Sequence, residues 1–101
     1  MEIILKGKKY NFEINGTVGI VWIAQNFAGH EIDFISSTDL MYLLYAVYYT
    51  SNKQPMELQE FAACITSKTF NAMSEYFKRR FEELEGKTDN ADKGGEELKK
   101  N

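Results

Sequence analysis

Residues 2–14 read Glu2-Ile3-Ile4-Leu5-Lys6-Gly7-Lys8-Lys9-Tyr10-Asn11-Phe12-Glu13-Ile14 and predict a β-hairpin at the N-terminus. The second half alternates polar with apolar residues, which is typical of a half-buried strand, and the glycine marks the turn. On the first strand Ile3 and Leu5 share one face and Ile4 takes the other, so the buried face of that strand stays open. Because an isolated two-stranded hairpin is marginal in water, we expect it to pack on the rest of the chain.

The chain after Gly16 is patterned for helices and ends in a charged tail. Strand over Val18 to Ile23 is the competing interpretation, since β-branched residues are frequent there, but the apolar residues do not alternate. The predicted fold is α+β, mostly α, with an N-terminal β-hairpin packed on a compact bundle of about four helices. One globular domain would span 1–85, with the hairpin at 2–14, helices at about 17–28, 38–50, 55–65 and 67–85, and a disordered charged tail at 86–101.

Two features of this pattern predict where side chains lie. Gly29 is placed at the C-terminal end of the first helix, and the connection from Glu31 to Ile35 carries three apolar residues that we expect to pack down. The predicted core contains five large side chains, namely Trp22, Leu44, Phe61, Phe70 and Phe77.

The second predicted helix is apolar on nearly all sides. One stripe consists of Leu40, Leu43, Leu44 and Val47, and a second consists of Met41, Tyr45, Tyr48 and Tyr49. A helix of this kind lies either at the centre of its domain or against a partner. Since tyrosine is enriched at binding interfaces, the second stripe is the predicted protein-binding surface, and the edge of the hairpin is the alternative.

Composition limits the classes of function. The chain has 101 residues and a net charge of −3, which disfavours duplex nucleic acid as a partner because phosphate binding needs a concentrated basic surface. Cys64 is the single cysteine, which fits a reducing compartment. No signal peptide is evident, and the longest apolar run, Leu40 to Tyr49, is too short to span a membrane. We therefore expect a cytoplasmic protein.

Candidate catalytic and metal-binding residues are few. His30 is the only histidine; Glu31 or Asp33 could supply a carboxylate beside it, but a histidine at a helix end more often caps the helix or lies on the surface. No zinc-ligand spacing occurs, and Cys64 has no histidine near it in the sequence. The glutamates of the third and fourth helices lie on predicted solvated faces. We expect no catalytic residue, no metal and no cofactor.

The opening Ile4-x-x-Gly7-Lys8-x-Tyr10-x-Phe12, followed by helices from Thr17 to Leu84 and a charged tail, resembles the small tail assembly chaperones of long-tailed bacteriophages. The resemblance implies a non-enzymatic phage or prophage protein that binds the long, apolar, helical tape-measure protein. It would keep that protein soluble while the tail tube assembles, with the tail tube protein as a possible second partner, and would be absent from the virion. The family has no catalytic residues to carry over.

A different class of function also fits these residues. A small cytoplasmic adaptor or regulatory module could bind another protein, including a second copy of itself through the tyrosine-rich helix. A small enzyme is the third possibility, but the sequence offers no credible nucleophile, base or metal site for it.

Overall fold

The computed structural model describes residues 1–86. Within that range the chain forms an antiparallel hairpin followed by four helices, which confirms the predicted fold class. The strands are β1 Glu2–Leu5 and β2 Lys8–Asn11. The helices are α1 Val18–Ala28, α2 Ser37–Ser51, α3 Leu58–Cys64 and α4 Ser67–Glu85. The tail predicted over 86–101 lies, from Lys87 onwards, outside the described residues.

The hairpin turn follows directly from its two central residues. Lys6 and Gly7 both adopt positive φ, 54° and 74°, as a two-residue turn matched to the right-handed strand twist requires. The register pairs Leu5 with Lys8 and Glu2 with Asn11. Ile3 and Leu5 are buried whereas Ile4 is exposed, which settles the face that the sequence left open.

The C-terminal end of α2 is hydrogen-bonded to the end of β2 and the residues that follow it. Asn52 accepts a hydrogen bond from the Asn11 backbone N–H (3.0 Å) and donates one to the Asn11 carbonyl (2.9 Å). The Ser51 hydroxyl accepts from the Glu13 N–H at 2.9 Å. Backbone hydrogen bonds between the two arms continue one residue further, because the Phe12 N–H donates to the Met1 carbonyl at 2.8 Å and the N-terminal amine donates to the Phe12 carbonyl at 3.0 Å. Phe12 and Ile14, which come next, are fully buried.

Helix α2 is the central element of the core. Ser36 caps its N-terminus by accepting from the Asp39 N–H at 3.2 Å. Six consecutive residues are buried, which means that α2 is covered on nearly every side: Leu43, Leu44, Tyr45, Ala46, Val47 and Tyr48. The all-round apolar pattern of α2 therefore reflects a central position.

Buried aromatic rings join α2 to its neighbours. Tyr48 stacks on Phe61 with ring centroids 4.6 Å apart, and Tyr45 meets the same ring edge-on at 5.1 Å. The two tyrosine hydroxyls bracket one residue of the α2–α3 connection: Tyr45 donates to the Met56 carbonyl (2.7 Å), and the Met56 N–H donates to Tyr48 (2.8 Å). We call this pair of hydrogen bonds the Met56 bracket.

The predicted core is right at three of its five positions. Leu44, Phe61 and Phe77 are buried, and Phe70 is partly buried against the core. Trp22 is 65% exposed, so its predicted burial is wrong. Helix α1 packs on α2 through Ile20 and Ala24, and this contact turns Trp22 outwards.

Candidate functional site

The predicted protein-binding stripe of α2 does not form a continuous surface. Tyr45 and Tyr48 are 2% and 0% exposed, so their expected place on an amphipathic surface is wrong. Their rings fill the core, and both hydroxyls belong to the Met56 bracket. Met41 is partly buried against the core, and Tyr49 is exposed enough for a partner to touch. The expected homodimer through this helix would accordingly lack its two central tyrosines.

A different apolar surface lies between α1, the α1–α2 connection and α4. Two adjoining clefts, of about 490 and 410 Å³, share Phe34 and Phe81 and so form one groove. We call it the α1–α4 groove; its principal residues are Val18, Trp22, Phe34, Ile35, Leu40 and Phe81. Leu43 and Phe77, which are buried, also line it from the core side.

The walls of the α1–α4 groove are unusually exposed for large apolar side chains. Val18 is 83% exposed, Phe34 is 60% exposed and Ile35 is 94% exposed. Phe34 nevertheless lies 6.0 Å from Phe81 between ring centroids, and these two side chains form the border that the two clefts share. Single exposed apolar residues are ordinary, but a continuous patch marks a contact site for another molecule.

Asp39 holds the loop that carries Phe34. One carboxylate oxygen accepts from the Asp33 N–H at 2.7 Å, and the other lies 2.9 Å from His30 Nε2. The Asp33 N–H, and after it the His30 ring, lower the pKa of the Asp39 carboxyl below its ordinary value. Because an ionised carboxylate only accepts, Nε2 carries the proton in this pair. Asp39 thereby ties both ends of the 30–33 segment to the start of α2.

The charges at the groove come from α4. Lys78 and Glu82 line the cleft that contains Ile35, and Glu85 lines the cleft that contains Trp22. Helix α1 contains no charged residue. The Thr17 hydroxyl donates to the Glu85 carboxylate, which connects the start of α1 to the end of α4. The groove is therefore an apolar channel with a charged border on one side.

The other candidate groups have structural partners. His30 pairs with Asp39 rather than with the Glu31 or Asp33 carboxylates considered from the sequence, and Gly29, with φ 79°, ends α1. The Cys64 thiol is partly buried and donates to the Phe61 carbonyl at 3.5 Å. In residues 1–86 no three His, Cys, Asp or Glu side chains are grouped so that they could hold a metal ion.

The sequence did not predict the groove, because several residues that line it were expected to be buried. The 31–35 connection was expected to pack down, yet only Ile32 does so, while Phe34 and Ile35 remain exposed. One signal was available: a helix as apolar as α1, without a single charge, needs cover on every side. The fold covers α2 in this way but leaves one face of α1 open.

Within the described range, no helix is both long and apolar enough to cross a bilayer. Comparison of the chain with protein-family models, with curated proteins and with solved structures finds no match.

Proposed function

We propose that this protein is a non-enzymatic phage tail assembly chaperone, which binds the apolar helical tape-measure protein and keeps it soluble during tail assembly. The observation that carries the proposal is the α1–α4 groove, an exposed apolar channel with aromatic walls at Trp22 and Phe34. The likeness of the N-terminal hairpin to that of the chaperone family supports it. In this function the protein acts in the host cytoplasm and leaves before the virion is complete.

The shape of the groove suits a helix. Two helical walls and an aromatic loop surround it, as in complexes where an amphipathic helix lays its apolar face into a groove. From Val18 to Gln25 the α1 wall is about 10 Å long at a rise of ~1.5 Å per residue, which matches about two turns of a bound helix. A tape-measure protein, with long apolar helical stripes, would present many such segments in succession.

The charge of the chain also fits this function. Its net charge of −3 gives every copy of the chain the same sign, which opposes association between copies bound along one partner. A chaperone that binds a partner with exposed apolar surface needs this charge repulsion as well as an apolar groove.

The proposal is tested by co-expression with segments of the tape-measure protein encoded in the same gene cluster. A tagged parent chain should retain at least one segment in a pull-down. The double variant Trp22→Ser/Phe34→Ser should bind it at least about tenfold more weakly, because truncation of an aromatic anchor costs ~2 kcal/mol or more. Thermal melts should show the variant folded, since both side chains are mainly exposed.

Ile4→Ser is the matched control. Ile4 is 59% exposed, as large and apolar as a groove residue, but lies on the outer face of the hairpin. It should bind like the parent; weakened binding in this control alone would move the site to the hairpin. Failure of the parent to retain any segment would overturn the chaperone proposal. So would a parent dimer that Trp22→Ser converts to monomer, since the groove would then serve self-association.

A further inference from the structure

We infer that the helix bound in the α1–α4 groove carries a lysine or arginine beside its apolar stripe, at the position that faces Glu82 and Glu85. This inference rests on the proposed function, since it specifies the chemistry of the partner in that groove. It is carried by the charged border of the groove, which α4 alone supplies.

The two carboxylates lie close together along α4, one in each of the two clefts that make up the groove. Glu82 lines the cleft next to Phe81, and Glu85, three residues further along α4, lines the cleft beside Trp22. Residues three apart on a helix are neighbours on its surface, with Cβ atoms about 5–6 Å apart. One cationic side chain from the partner can therefore reach both carboxylates. Thr17 already donates to Glu85, which holds that carboxylate at the mouth of the groove.

Nothing on the opposite wall balances these charges. Helix α1 contributes Val18, Trp22 and Gln25, none of them charged. Lys78 is the one cation that lines the groove in the described part of the chain. It shares a cleft with Glu82, its neighbour one turn along α4, whereas Glu85 lines the other cleft, further from Lys78. A basic side chain of the partner is attracted towards Glu85 and the adjacent Glu82, and is repelled near Lys78. This difference also sets the direction in which the partner helix lies.

The expected size of the effect follows from exposed ion pairs. Each such pair changes affinity by ~1.5–5-fold, and like charges act with the opposite sign. A helix with lysine at this position should therefore bind about tenfold more tightly than one with glutamate at low salt. The difference should shrink at ~1 M salt, where the screening length falls to ~3 Å.

Three synthetic peptides test the inference. Each is a capped amphipathic helix of about 18 residues, long enough to be helical, with leucines spaced for one face. They differ only at one flanking position near one end, which is lysine, glutamine or glutamate. Trp22 is the only tryptophan of the chain, so its emission reports occupancy of the groove directly. We expect affinity to fall in the order lysine, glutamine, glutamate.

The reciprocal change is made in the protein. Glu82→Lys/Glu85→Lys should reverse the order of the peptides, while Glu2→Lys/Glu75→Lys should preserve it. The second pair makes the same change in net charge at exposed glutamates outside the groove. A reversed order in both variants would mean that only overall charge matters, and would overturn the inference.

The remaining outcomes separate the inference from the function beneath it. If all three peptides bind the parent equally and shift the Trp22 emission, the groove binds helices without regard to charge, and only the inference fails. If none of them binds or shifts the emission at any salt concentration, the inference and helix docking in the groove fail together.

Discussion

Replacing Tyr45 and Tyr48 together with serine should unfold this protein. The two rings are fully buried, lie 6.0 Å apart between centroids and pack on the same phenylalanine, Phe61. Their hydroxyls form the Met56 bracket, which fixes the connection between α2 and α3. Serine does not fill the volume of the ring, and its side chain is too short to form the hydrogen bonds to Met56.

The magnitude follows from what is removed. Truncating one buried aromatic residue costs ~3–5 kcal/mol, and the two sites share neighbours, so the double loss amounts to roughly 5–8 kcal/mol rather than a strict sum. A small domain of this length is expected near the lower end of the usual range, with a free energy of unfolding of roughly 5–8 kcal/mol. The double variant is thus left with little or no stability. The single changes Tyr45→Phe and Tyr48→Phe remove one hydrogen bond each, at about 1–2 kcal/mol.

Thermal unfolding followed by far-ultraviolet circular dichroism measures these losses. Each phenylalanine variant should lower the Tm by about 4–16 °C, since ~1 kcal/mol corresponds to ~4–8 °C for a domain of this size. The double serine variant should show no cooperative transition. Trp22→Ser is the control, because it also truncates an aromatic residue but one that is 65% exposed. A double serine variant that melts within a few degrees of the parent would refute the assignment of these tyrosines to the core.

Three further predictions concern pH and the hairpin. Because the folded pKa of Asp39 lies below 3.8, its contribution to stability is present above that pH and is lost as pH falls through the folded value. The variant Asp39→Ala should therefore melt at a lower temperature than the parent at neutral pH and lose less stability on acidification. An unchanged dependence of stability on acid pH would contradict this. Burial raises the pKa values of Tyr45 and Tyr48 above 10.0, so these tyrosines ionise first in the unfolded chain. The urea midpoint should therefore be constant from about pH 7 to about pH 9 and fall above about pH 10. A flat profile to about pH 11 would argue against it. Gly7 has φ 74°, where a side chain costs ~1–2 kcal/mol. The variant Gly7→Val should therefore lower the Tm by several degrees, whereas Ile4→Val, a change at an exposed position of the hairpin, should leave it unchanged. Equal Tm values for the two variants would contradict the turn assignment.

The fold was predictable wherever a local signal had one physical interpretation. Lys6-Gly7 between apolar runs specifies the turn, since glycine adopts positive φ at low cost. Ser36 stands where its hydroxyl can cap α2, and Gly29 where the chain must leave α1. The apolar spacing of α4 identified Phe77 as core in the same way. In each case the deciding interaction lies within a few residues of the chain.

The candidate site was not predictable by the same means. Trp22 and Phe34 are residue types typical of a core, yet both are exposed. Tyr45 and Tyr48 are of a type enriched at interfaces, yet both are buried. Hydropathy measures how favourable burial would be, whereas the packing of elements decides which faces are covered. No residue near Trp22 in the sequence indicates that α2, rather than α1, occupies the centre of the domain.

The sequence by itself determined the elements, their caps and turns, and the predominance of helix over strand, because these depend on backbone preferences and on short-range hydrogen bonds. Only the tertiary structure decided which of the two apolar helices, α1 or α2, is enclosed. Packing α1 against α2 through Ile20 and Ala24 covers one face of α1 and leaves the opposite face beside Phe34 and Phe81. The α1–α4 groove exists because a two-stranded hairpin and three other helices can enclose one apolar helix, and α2 occupies that position.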